Sequence, residues 1–434
     1  MTARCGAVLF ALVFWAPTMS VASTDTATVA PSSMPRAPIP QERLSRPFDA
    51  APMPEGGVQN PLLAPARGSP TDLPPIGPTP AAITSNLDGG RRFGDYANGP
   101  SAPVDLDFSW NGYLRLIVEA VENDARSAFV GRNDGFKVAN ARVGLRIARG
   151  NFIAYLSADS AVGQQETFND PDQDFVIRPR DLLIRYRLAD FASMTVGRFK
   201  TPYDLGQLET TPYRLFIDQP VASRGVLPTQ GLPIDGIGQG RQLGAMIHCT
   251  RLGLDLAGFD VGYALAITNG RTLEFALNDN DRVAGFGRLS LYWKRAIQLN
   301  VAGFYDNRTV GDVPAVFDED VRGIEVSTVI GIDDFNIEGQ LLYQSTEGSG
   351  PAIESWGAHG QIAYTVGRGF QLAYRFSYYD PINVDDAVSE HTAGVSYSTP
   401  HLPLRFVLNG TLVLEQSNVR VDNNRLAFLT QFVF

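Results

Sequence analysis

DFSWNGYLRLIVEA, residues 107–120, sets the reading of the whole chain. Phe108, Trp110, Gly112, Leu114, Leu116, Val118 and Ala120 are apolar or small, while Ser109, Asn111, Tyr113, Arg115 and Glu119 between them are mostly polar. Alternation with period two marks a strand, because successive side chains leave opposite faces of a pleated backbone. A dozen such residues is long for a soluble sheet and about what a tilted strand needs to cross a bilayer. The pattern recurs to the end of the chain. Phe370, Leu372, Tyr374, Phe376 and Tyr378 alternate with Gln371, Arg375 and Ser377; Phe335, Ile337, Leu341 and Tyr343 with Asn336, Glu338, Gln340 and Gln344. Leu404, Phe406 and Leu408 alternate with Arg405, Val407 and Asn409.

The connections alternate too. Tight turns at 149–151, 294–295 and 366–369 are interleaved with long polar stretches at 122–136, 162–175, 269–282, 307–320, 345–355 and 381–390. Short periplasmic turns and longer external loops are the asymmetry of outer-membrane barrels. A soluble β-sandwich alternates as well, but nothing in it sorts loops by length. The expected fold is all-β: a transmembrane antiparallel β-barrel of about sixteen strands, an even number with both chain ends on the periplasmic side. The longest connection, about 203–240, then follows the fifth strand. In the last segment, Phe434, Phe432 and Phe428 share a face with Leu426, and the chain stops on the aromatic itself. This resembles the terminal signature of outer-membrane barrels that is read by the barrel-assembly machinery. That machinery and outer-membrane lipid, lipopolysaccharide included, are the expected macromolecular partners. Asn423, just before this strand, reads as a polar loop residue.

Ahead of the barrel, spanning 106–434, two other segments differ in composition. Residues 1–22 read as an export signal: Arg4 supplies positive charge, 7–16 (AVLFALVFWA) an apolar core too short to span a bilayer, and Ser20-Val21-Ala22 a cleavage site. Residues 23–105 are rich in Pro, Ala, Ser and Gly, which oppose both helix and sheet, and read as a disordered periplasmic tether. Cys5 leaves with the signal, so Cys249 has no intrachain partner.

Global composition narrows the function classes. A net charge of −10 argues against nucleic acid, whose phosphates call for a basic surface. A mean hydropathy of −0.07 excludes a helical membrane bundle but not a barrel, whose strands need an apolar residue only at every second position. His248, His359, His391 and His401 are isolated, without metal-ligand spacing or a Cys pair, so no cofactor, metal or enzymatic activity is expected.

The charges speak once they are sorted by face. Arg115, Arg142, Arg146, Arg185, Arg187, Arg288, Arg375 and Arg405 fall on the presumed lumen face, and Arg198 and Lys200 share one face of the fifth strand. Fewer acids are assigned there: Glu119, Asp159, Asp181, Glu325, Glu338 and Glu415. Arginine facing lipid costs about 2–4 kcal/mol at the midplane, so its alternation with apolar residues implies an aqueous interior. Bases exceeding acids there favour an anion-attracting lumen. The bland reading is that these arginines only pair with lumen acids.

One stretch carries a family likeness. Val196-Gly197-Arg198-Phe199-Lys200-Thr201-Pro202-Tyr203 resembles the GxFKxPF segment of the phosphate-selective porin O/P family. Ile267-Thr268-Asn269-Gly270, then Asn278-Asp279-Asn280-Asp281 and Val283-Ala284-Gly285-Phe286-Gly287-Arg288-Leu289, are similar to its NG…DN…xGRL stretch. Lys200 matches the motif position, and Arg198 stands where the family often has Gln. The resemblance implies a trimeric porin whose long loop after the fifth strand folds inward to narrow the pore. It also implies passive diffusion of small anionic solutes, phosphate-like ones among them. The rival expectation is a closed structural or adhesive barrel that conducts nothing.

Overall fold

A computed structural model describes residues 106–434, apart from 125–129, 132–133, 161–176, 228, 232, 255, 271–277, 279, 295, 311–315, 349, 351, 368, 382–386, 400–401 and 417–420. The export signal, the tether and the loop at 162–175 lie outside the described residues.

Sixteen strands alternate up and down: β1 (Asp107–Val121), β2 (Gly135–Arg149), β3 (Phe152–Ser160), β4 (Ile177–Ala189), β5 (Ala192–Lys200), β6 (Arg241–Cys249), β7 (Phe259–Thr268) and β8 (Ala284–Trp293). There follow β9 (Ile297–Val310), β10 (Phe317–Ile332), β11 (Phe335–Glu347), β12 (Ile353–Val366), β13 (Phe370–Asp380), β14 (Val388–Ser398), β15 (Leu404–Glu415) and β16 (Arg425–Val433). Each pairs antiparallel with its neighbour in sequence, and β16 returns to β1 to close the barrel. Closure removes the unpaired edges that an open sheet would expose to lipid.

Side-chain exposure follows the alternation. Leu116, Ile184, Val196, Leu289, Leu341 and Leu412 face outward, while Arg115, Glu119, Arg288, Glu338 and Arg375 are buried inside. Toward the short-turn end, outward aromatics pair across neighbouring strands, as Phe259 with Trp293, Phe335 with Tyr364 and Phe370 with Tyr397. Such a girdle is where ring systems meet the lipid–water boundary.

The seam involves the last residue directly. The Phe434 amide donates to the Gly112 carbonyl at 3.0 Å, and the Gly112 amide to the Phe434 carbonyl at 2.8 Å. Only glycine fits at 112, because a Cβ there would lie 2.4 Å from Cζ of Phe434 and 2.5 Å from the Arg142 carbonyl. On β16, Phe428 and Phe432 face outward, as does Phe434 just past its end, and Ala427, Leu429 and Gln431 face in.

The long connection between β5 and β6 enters the lumen. It holds two single-turn helices, α1 (Leu205–Leu208) and α2 (Val221–Arg224), and a short ladder of Gly225–Val226 with Ile234–Asp235. Its core packs on the barrel's inner wall. Tyr203, Val221, Ala222 and Ile237 join Phe286, Phe304, Val321 and Leu342 in one apolar cluster, with Tyr203 edge-on to Phe304 at 4.6 Å.

Candidate functional site

The inward connection is pinned along its length by polar groups of the wall. Glu325 on β10 accepts from the amides of Asp204 (2.8 Å) and Leu205 (3.2 Å). Farther in, Arg405 on β15 donates to the carbonyls of Pro212 (3.2 Å) and Arg214 (2.7 Å), and Gln431 on β16 donates to that of Pro212 (2.9 Å). Arg115 on β1 donates to the Ile217 carbonyl at 2.9 Å, and Arg375 on β13 to that of Asp218 at 2.9 Å. Lys200, at the root, donates to the carbonyls of Leu208 (3.2 Å) and Glu209 (3.1 Å). Glu390 on β14 closes the set, accepting from Arg224 of the connection (2.6 Å) and Arg425 of β16 (2.9 Å). A segment with few ladder bonds of its own leaves carbonyls to satisfy, and charged donors satisfy them strongly.

Beside this strap, β2 to β6 carry a dense group of cations. Arg142 and Arg180 both reach Asp159, at 2.8 and 3.3 Å, and Arg241 meets Asp181 at 2.7 Å. Arg198 donates to the Pro179 carbonyl at 2.8 Å and stands electrostatically close to Arg180 and Arg241. Lys200 feels Arg241, Arg142 and Arg214 of the connection. Among the described residues, Arg142, Arg180 and Arg241 thus share the two carboxylates of Asp159 and Asp181, with Arg198 and Lys200 in their field.

The charges on the strap are tuned by the same surroundings. Burial, then the nearby Glu338 carboxylate, pushes Glu209 up to about 7. Asp218 behaves in the opposite sense. Burial opposes its charge, but Arg224, Arg425, Arg375 and Arg115 outweigh it and hold the carboxyl below its ordinary range. Burial lowers Arg214 to about 10, so it remains a cation at neutral pH.

The residues singled out by sequence separate into groups. Arg115, Arg375 and Arg405 clamp the strap through its carbonyls. Arg288 is engaged by Glu325 at 3.0 Å, and Arg146 by Asp107 at 3.1 Å. Arg187 pairs with Asp190 near a tight turn, and Arg185 donates to Thr195 Oγ1 at 3.3 Å, itself 3.0 Å from His248. Arg142, Arg198 and Lys200 belong to the cation cluster. Arg198 and Lys200 do not form the simple lumen-facing pair expected. Gly197 (φ 123°) breaks the pleat before them, and Arg198 shares its rung with Leu182 and Leu243, of which Leu182 faces outward.

Arg180 and Arg241 escaped the sequence reading. Counting by twos from the outward Leu182 and Ile184 would place Arg180 in lipid. Register instead slips between Leu156↔Leu182 and Ala158↔Pro179, leaving Arg180 and Asp181 together opposite Ser157. A bulge of this kind re-aims one side chain to the other face. Pro179 was the available signal, since proline inside a strand sits at bulges or edges.

No family model matches the chain, and no curated protein sequence matches it. Solved structures do. OmpT of Vibrio cholerae, in its in-vitro folded trimer form, is 11% identical over 76% of this chain and 99% of its own, with a TM-score of 0.52. OmpF of Salmonella typhi in complex with daunomycin is 11% identical over 76% and 98%, with a TM-score of 0.50. The outer membrane channel DcaP of Acinetobacter baumannii is 13% identical over 76% and 97%, with a TM-score of 0.50. At these identities the likeness is one of fold: the chain has the barrel architecture of outer-membrane channels. The phosphate-selective porin resemblance has no family match behind it.

Proposed function

We propose that the chain is a porin of the outer membrane, a water-filled channel for passive diffusion of small anionic solutes, with phosphate-like ions among the candidates. It works as a channel rather than an enzyme, needs no cofactor, and assembles as a homotrimer with its N-terminal tether in the periplasm. The barrel-assembly machinery inserts it into lipid that includes lipopolysaccharide. One observation supports the selectivity: among the described residues, the three guanidinium groups of Arg142, Arg180 and Arg241 share the two carboxylates of Asp159 and Asp181 beside a connection strapped inside the barrel. In a lumen walled by low-dielectric protein, that excess raises the local concentration of anions.

Liposome swelling tests the reading. Vesicles carrying the folded protein should admit a sugar acid faster than the sugar alcohol of the same size. Equal rates would remove the anion preference. No swelling with either would favour the closed structural barrel.

A further inference from the structure

The root of the strap contains two fully buried carboxylates, Asp204 on the connection and Glu325 on β10, each 0% exposed. Their partners are unequal. Glu325 is complete: it accepts from the amides of Asp204 and Leu205, from Ser327 Oγ at 2.8 Å and from Arg288 Nη1 at 3.0 Å. Asp204 gathers its donors on one oxygen. Oδ1 accepts from the Gly206 amide (3.0 Å), Ser223 Oγ of α2 (2.8 Å) and Gln340 of β11 (3.1 Å), while buried Oδ2 receives no hydrogen bond. Oδ1 therefore ties the start of α1, helix α2 and the barrel wall together. The backbone at Asp204 is also left-handed, with φ at 66°, a conformation a non-glycine residue holds only under constraint.

Charge around this knot does not balance. The adjacent Arg288 guanidinium is engaged by Glu325. The other titratable groups in and around the knot add little positive charge. Glu338 on β11 is 3.0 Å from His359 on β12, and Tyr203 and Glu209 come from the connection itself. Arg375 on β13 points to the carbonyls of Asp218 and Gln219. An unpaired, charged carboxylate in such a place is far costlier than a protonated one.

We infer that this knot is a proton-dependent latch: Asp204 holds the strap down while its carboxyl keeps a proton beside Glu325, and loosens it when that proton is lost. The inference rests on reading the connection as the constriction. Burial, then the Glu325 charge, raises Asp204 to about 6. In a released strap Asp204 would meet water and titrate near its ordinary value of about 3.9. The held form therefore keeps a proton that the released form has lost between about pH 4 and 6, so holding weakens as pH rises through that window. A difference of about two units changes the held-to-released ratio about a hundredfold, and the change is complete above about pH 6.

Tyr213, exposed near the inner end of the strap, offers a reporter position. A spin label at Tyr213→Cys, in full-length folded protein with Cys249→Ser, should be immobile at pH 4.5. Its mobile fraction should grow on raising the pH, with the rise falling between about pH 4 and 6. Asp204→Asn should keep the label immobile at both pH values. Glu325→Gln removes the repelling charge, brings the held Asp204 nearer its released value and should flatten the pH response, which serves if Asp204→Asn does not assemble. A label whose mobility ignores pH, or a transition unchanged in both variants, overturns the latch. The label reports on the strap and not on current, so a barrel that conducts nothing would defeat the proposed function and leave this result standing.

Discussion

Arg180 and Arg241 show what a single side chain adds to the selectivity argument. Both sit within hydrogen-bonding or ion-pair reach of a lumen carboxylate, and each also lies close to other cations. Replacing both with Glu changes the local formal charge by four units. The reversal potential should then move toward cations, most strongly in dilute salt, where the screening length reaches about 30 Å at 0.01 M. Arg282→Glu with Arg322→Glu, at exposed positions near the outer loops, should do much less. Unchanged selectivity in a correctly assembled Arg180/Arg241 variant would take the cluster out of the ion path. Arg405 belongs to a different class. Arg405→Leu removes two charge-assisted hydrogen bonds to the strap, each worth about 1.5–3 kcal/mol. Protease cutting within 203–240 should rise clearly while the barrel keeps its heat resistance. Sequence reading could tell that Arg115, Arg375 and Arg405 face inward, because alternation fixes the face. It could not tell a clamp from a field-setting charge, since that depends on carbonyls about a hundred or more residues away, such as Ile217 for Arg115.

At the scale of elements, β16 closes the barrel, and Phe434, the residue after it, fastens the seam. Deleting Phe434 removes both backbone hydrogen bonds to Gly112 and the ring that covers it. Outer-membrane levels should fall severalfold or more, and Gly112→Val should copy the defect from the other side of the seam. Normal levels in both variants would contradict this role for the seam. Asn423 is an unsuitable neutral control here. Read as a polar loop residue, it is buried, donating to the Gln230 carbonyl at 2.7 Å and to Glu415 at 2.8 Å. Exposed Asp281 serves better. The strands and the sorting of their connections were legible because period-two patterning and loop length are local properties. The bulge at Arg180–Asp181 and the broken pleat at Gly197 were not. Each inserts an exception into an alternation that sequence counting assumes to be perfect.

At the largest scale, the described residues form a ring of sixteen strands in which every strand has two neighbours. A closed ladder offers no edge at which unfolding starts easily. Unheated protein in SDS should therefore migrate differently from boiled protein, and a slower band at three times the mass would support the trimer. Identical migration, with solubility in the absence of detergent, would contradict a membrane barrel. The inward course of the long connection was expected only through a family resemblance. Its contacts with β10, β11, β13, β15, β16 and β1 have no local signature in the chain. The central claim, that this barrel is an anion-attracting channel, is tested most directly by planar-bilayer conductance of the purified protein with a salt gradient across the membrane. The account predicts steady single-channel steps and a reversal potential of anion-selective sign that grows as salt is diluted. No steady conductance, or a reversal potential of cation-selective sign, would contradict it.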